Sequence, residues 1–156
     1  MNLKYEHLIG LPFTHGTRDC YEICRDFFRD NGIVDLPPHA RPDGWWEQDG
    51  MNLYMDFYAD YGFELFHGPT ADLQPADVFM CAIKSRVANH AAIHVGDGRI
   101  LHHFYGRLSE VCEYKGLWRN TTVAVLRHKS LKDYRPEPVL FGLPPYLGAA
   151  ANAGAA

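Results

Sequence analysis

The chain has 156 residues, 47% hydrophobic and 13% aromatic, which is enough apolar material for the core of one domain. Its formal net charge of -4, with Lys and Arg scattered rather than clustered, lacks the basic stripe that a phosphate backbone demands, so no nucleic-acid partner is expected. No segment approaches the roughly 18 consecutive apolar residues of a membrane span. The stretch Met1 to Leu11 has no basic, apolar and small-residue succession of a secretory signal, so synthesis and folding in a cytoplasm are expected.

The first clear element is a helix opening at Asp19-Cys20-Tyr21-Glu22. Asp19 can cap the free amides of the first turn, and Glu22, three residues on, can reach back to close a capping box. Cys20, Ile23, Cys24, Phe27 and Phe28 recur at helical spacing on one apolar stripe, and Asn31-Gly32 offers a left-handed stop. After the proline-rich stretch from Leu36 to Gly44, Leu53, Phe57 and Tyr61 at four-residue steps predict a second helix ended by Gly62.

The period then changes. Val78 to Ile83 reads as a buried strand, and Ala91 to Val95 with Arg99 to Tyr105 reads as a hairpin about a three-residue loop, Gly96-Asp97-Gly98. A last strand is predicted over Val123 to Arg127. Helices followed by strands argue an α+β domain, with N-terminal helices packed on a small antiparallel sheet. The expected domain covers 1–135. Residues 136–156, rich in Pro, Gly and Ala, read as a C-terminal arm or tail.

Four cysteines, Cys20, Cys24, Cys81 and Cys112, lack the paired CxxC spacing of a structural zinc site, and with no export signal they are expected as free thiols. Cys20 stands in the first turn of its helix, where the dipole and the unsatisfied amides favour thiolate and are expected to lower its pKa. Against that stands simple packing, since free cysteine is among the most buried residue types. Cys24 lies one turn further from the helix end and is the weaker nucleophile. Cys81 and Cys112 are expected to be structural.

A nucleophile needs a base, and the hairpin carries histidines at 90, 94, 102 and 103. With Val95 opposite Arg99, His90 falls opposite Phe104 and His102 becomes its diagonal neighbour on the same face, about 7–8 Å away. His102 can then hold the His90 imidazole, completing a triad. His94 shares that face, so strand parity leaves His90 and His94 both open as the base. His103 faces the other way, with Ile93 and Leu101, as a packed or edge histidine. His90 and His94 also have the spacing of a zinc helix, but the Glu of HExxH is missing and the segment reads as strand, so neither metal nor other cofactor is expected. Trp45-Trp46 can line a substrate groove or serve as a core or loop anchor.

Three motifs in order resemble the NlpC-type cysteine peptidases of bacteria and their phages, a papain-like family. They are the Gly-rich approach from Gly10 to Asp19-Cys20, the strand Ala76-Asp77-Val78-Phe79, and His90 to Val95 with Gly96-Asp97-Gly98 and His102. The resemblance runs from about Gly10 to Leu126. By position it implies Cys20 as nucleophile, His90 as base and His102 as the orienting residue, and it puts His94 where the family usually has Tyr.

The segment from Ile9 to Phe28 is most similar to the peptidase domain of tail-assembly proteins of long-tailed phages and related gene-transfer particles. That branch implies a tail-tip component that cleaves peptidoglycan stem peptides and meets other tail proteins. Two departures stand out: Phe13 replaces a Tyr credited with assisting the oxyanion, and Tyr21-Glu22 replaces the usual Ser-Gly after the nucleophile. The backbone N–H of Cys20 is the expected oxyanion donor. The alternative is a structural tail-tip subunit of the same fold with little or no hydrolytic activity. An acyltransferase or amidase on the same scaffold would use the same three residues.

Overall fold

The computed structural model describes residues 3–131. The expected arm over 136–156 and its boundary at 135 lie outside them. Three α-helices, α1 (Cys20–Asp30), α2 (Leu53–Phe57) and α3 (Leu117–Thr121), accompany six strands. The strands are β1 (Phe63–Leu65), β2 (Val78–Cys81), β3 (His90–Gly96), β4 (Arg99–His102), β5 (Glu110–Glu113) and β6 (Thr122–His128), with short 3-10 turns between elements. They form one sheet in the order β1-β6-β2-β3-β4-β5, with every neighbouring pair antiparallel. The fold is α+β, as the change of hydrophobic period predicts.

The sheet is covered on both faces. Val78 and Met80 of β2, Ala91 and Ile93 of β3, Leu101 of β4 and Leu126 of β6 share a core with the α1 stripe of Cys20, Ile23, Cys24, Phe27 and Phe28. Phe27 and Phe28 are almost wholly out of water, and each such burial contributes about 1.5–3 kcal/mol. The opposite face carries Phe79, Cys81, Ala92 and Ile100, closed by Tyr114, Trp118 and their neighbours. Because both faces are buried, β2 is apolar at every position instead of alternating.

Four local expectations are corrected. The hairpin loop has two residues, not three: Asp97 and Gly98 both have positive φ, +51° and +65°, as in a type I′ turn, and Gly96 pairs with Arg99. The additional residue, Val95, is a bulge. It absorbs the one-residue difference, so Ala92 still lies opposite His102 and the parity of the strand is kept.

The second helix is only Leu53–Phe57, continued as a 3-10 turn over Ala59–Tyr61 before Gly62. Its five residues have no side-chain cap, which leaves little to hold a regular helix. The strand expected to reach Ile83 ends at Cys81, where the Asn89 side chain bonds both the amide and the carbonyl of Ile83. Finally, Asp19 caps α1, but Glu22 does not reach back, because its carboxylate is engaged by Arg25 and Arg41.

Candidate active site

Cys20 owes its position to Asp19. One Asp19 oxygen accepts the amides of Tyr21 and Glu22, at 3.0 and 3.2 Å, and the other accepts that of Gly16 at 2.7 Å. The amide of Cys20 itself is left out of this set. Behind the carboxylate, Nη2 of the buried Arg41 approaches both oxygens, at 2.9 and 2.8 Å, while the guanidinium lies 4.4 Å from the centre of the Tyr21 ring. Burial alone would raise the Asp19 pKa, but the Arg41 hydrogen bond and charge and the loop amides outweigh it and hold the carboxyl below its usual value. The helix start is therefore anchored to a fixed anion.

The thiol of Cys20 is buried and 3.2 Å from the hydroxyl of Tyr54 on α2. Its pKa is raised, contrary to the expectation from the helix dipole. Loss of hydration is the largest cause and the Asp19 carboxylate adds to it, while the Tyr54 hydroxyl, the Ala91 amide and Arg41 act in the opposite direction. The dipole falls off within one turn and is worth about 1 kcal/mol, less than the cost of ionising a buried thiol beside a carboxylate.

His90 opens β3, opposite Cys81 of β2. Its ring lies 5.8 Å from that of His102, edge to face, 5.3 Å from Trp118 and 5.8 Å from Phe104. His102 in turn packs on Trp118 at 4.1 Å. Nε2 of His90 and both ring nitrogens of His102 are buried without a hydrogen-bond partner. The Glu110 carboxylate, across the β4–β5 ladder, stands 3.6 Å from His102 Nε2. Burial, followed by the neighbouring imidazoles His102 and His103, depresses His90 to about 3, and burial with His103 depresses His102 to about 4. Both rings are neutral at pH 7.

The remaining histidines of the hairpin go elsewhere. His94 makes a 2.9 Å hydrogen bond through Nδ1 with the Gln74 carbonyl and packs against Phe79. His103 is fully buried near the backbones of Leu11 and Arg107, and Phe13 meets its ring edge-on at 5.3 Å. Among the described residues, no group of three or more His, Cys, Asp or Glu is arranged to hold a metal ion.

A cleft of about 300 Å³ joins these parts, with Cys20, His90, His103, Tyr54 and Arg41 among its lining residues. Trp45 and Trp46 belong to its wall too, Trp45 as a buried anchor set edge-on to Tyr54 at 5.4 Å. His102 sits behind His90, outside the lining. The sequence pattern does not reveal Tyr54, 34 residues from its partner Cys20, or Arg41, 22 residues from its partner Asp19. It passed over His103 on parity. A helical pattern containing Tyr54 was visible, but nothing local joins it to Cys20.

The NlpC/P60 family model matches residues 10–127. Among curated proteins, the chain is similar to Tail tip assembly protein K of Escherichia phage lambda, 41% identical over 124 residues, covering 80% of this chain and 60% of that protein. It is also similar to the protein of the same name from Escherichia phage N15, 31% identical over 126 residues, covering 80% and 51%. The matched region thus spans little more than half the length of these relatives.

Solved structures give the same fold at low identity. An NlpC/P60 family protein from Bacillus cereus aligns with a TM-score of 0.51 at 16% identity, covering 78% of this chain and 36% of that one. NlpC1 from Trichomonas vaginalis aligns at 0.53 and 13%, covering 79% and 40%. The family match over most of the chain, the shared fold and the motifs around Cys20 and His90 agree, and the chain belongs to the NlpC/P60 family.

Proposed function

We propose that this chain is a cysteine peptidase that hydrolyses peptide bonds of peptidoglycan stem peptides, as a tail-tip component of a phage-type particle that aids cell-wall penetration. The observation that carries the chemistry is the shared cleft of Cys20, at the start of α1, and His90, at the start of β3. Cys20 is the nucleophile, His90 its base, and His102 the residue that orients His90. The names of the two phage relatives support the tail-tip role, and other tail proteins are the partners it implies.

At rest the pair is a neutral thiol and a neutral imidazole. As Sγ attacks the scissile carbonyl carbon, the thiol proton passes to His90 and the carbonyl π electrons move to oxygen, beside the free amide of Cys20. The imidazolium gives that proton to the leaving amine as the C–N bond breaks. His90 then takes a proton from water, whose oxygen attacks the thioester and releases the acid and the thiol. A buried imidazolium is disfavoured alone, and the anion formed next to it supplies the missing counter-charge.

The test is incubation of the protein and its Cys20→Ala variant with peptidoglycan, with released stem-peptide fragments read by mass spectrometry. Release by the unaltered protein alone is expected and identifies the bond. No release from either, with the protein folded, favours the second reading, a structural tail-tip subunit without hydrolytic activity. Two observations point toward that reading: the relatives are named for assembly, and burial holds the Cys20 thiol in its neutral form.

A further inference from the structure

We propose that Tyr54 is a further catalytic residue of this cleft, its hydroxyl donating a hydrogen bond to the negative charge as it passes from Cys20 Sγ to the carbonyl oxygen of the substrate. The proposal rests on the peptidase reading above for the second half of that path, and on geometry alone for the first. Tyr54 Oη stands 3.2 Å from Cys20 Sγ, within contact of the atom that reacts.

The ring of Tyr54 has little freedom to leave. Trp45 meets it edge-on at 5.4 Å, Tyr21 stacks on it at 6.3 Å, and the residue is buried. Such confinement holds a donor in place before charge develops, so that little reorganisation is needed during the reaction. Burial, followed by the Cys20 charge, raises the Tyr54 pKa well above its ordinary value, so the hydroxyl keeps its proton and can donate it in a hydrogen bond once Sγ becomes an anion. Among the described residues, no other side-chain hydroxyl lines the cleft except that of Tyr105, which lies largely in solvent beside Phe13.

In the resting protein the Tyr54 hydrogen bond competes with the groups that oppose thiolate. Burial and the Asp19 carboxylate oppose it, Arg41 behind Asp19 favours it, and the Cys24 thiol on the same helix and His90 and His103 across the cleft complete the titratable surroundings of Cys20. When Sγ attacks, the C–S bond forms and the charge moves to an oxygen bonded to the same carbon, which a hydroxyl already beside Sγ can follow. When the intermediate collapses, the C–N bond breaks and the carbonyl re-forms. Tyr54 transfers no proton in either step.

The test compares the unaltered protein with Tyr54→Phe, which keeps the ring and its packing, after confirming equal thermal stability. The first readout is the pH dependence of Cys20 alkylation by iodoacetamide, followed by peptide mass mapping and independent of any hydrolysis. Loss of a donor to the thiolate is expected to move the alkylation midpoint up by about one to two pH units. The second is hydrolysis of peptidoglycan fragments, expected to fall in kcat by about 10- to 1000-fold with KM little changed.

An unmoved alkylation midpoint overturns the proposal, as does full hydrolysis by Tyr54→Phe when Cys20→Ala is inactive. If the unaltered protein hydrolyses nothing, the peptidase reading fails. A shifted midpoint in that case still establishes Tyr54 as the donor to Cys20, and an unshifted one still removes it.

Discussion

His90 and His102 are buried as neutral rings, and that has a cost which depends on pH. With folded values of about 3 and 4 against 6.5 for the free side chain, the unfolded chain binds more protons than the folded one between those limits. Stability from these groups is therefore complete above about pH 6.5 and is lost as pH falls toward 3, each unit of depression being worth about 1.4 kcal/mol. The melting temperature should drop between pH 7 and pH 4.5, and a His90→Gln, His102→Gln double variant should drop less. Equal losses in the two proteins would mean that other groups dominate. The same scale explains Asp19 and Arg41: a buried carboxylate is tolerable because a guanidinium and three amides surround it, and removing Arg41 would leave an uncompensated charge.

At the level of elements, the β3–β4 hairpin decides which histidines lie side by side. The Asp97-Gly98 turn needs positive φ at both residues, so Gly98→Ala should cost about 1 kcal/mol, measurable by urea denaturation, without altering the strand parity. An unchanged midpoint would show that the turn relaxes around the new side chain. The α1 stripe and this hairpin were legible in the sequence because each repeats a period over several turns or pairs. Elements such as β1, with three residues, β5, Glu-Val-Cys-Glu, and α3, Leu-Trp-Arg-Asn-Thr, carry too few residues to show a period. Their existence is set by pairing and packing with distant chain. The same limit applied to the site: the Asp-Cys pair and the histidines announced themselves locally. Tyr54 against Cys20 and Arg41 against Asp19 are long-range contacts that only the folded chain creates.

Across the whole molecule, the cleft sits where the start of α1, the segment leading to α2 and the ends of β3 and β4 converge, so the rigidity of the sheet is passed to the site through α1. The four free thiols report on that arrangement. Cys24 and Cys81 are buried in the two separate cores and should react with a thiol reagent only on global unfolding, whereas the half-exposed Cys112 should react in the native protein. Rapid native labelling of Cys24 would show that α1 opens locally. The open sheet has a further consequence for behaviour in concentrated solution. Among the described residues its two margins are β1, only three residues long, and β5, which carries an exposed glutamate at each end. A brief margin offers few unpaired amides, and a margin that carries charged side chains would have to desolvate them on pairing with another strand, so both edges resist the strand-to-strand pairing that seeds aggregation.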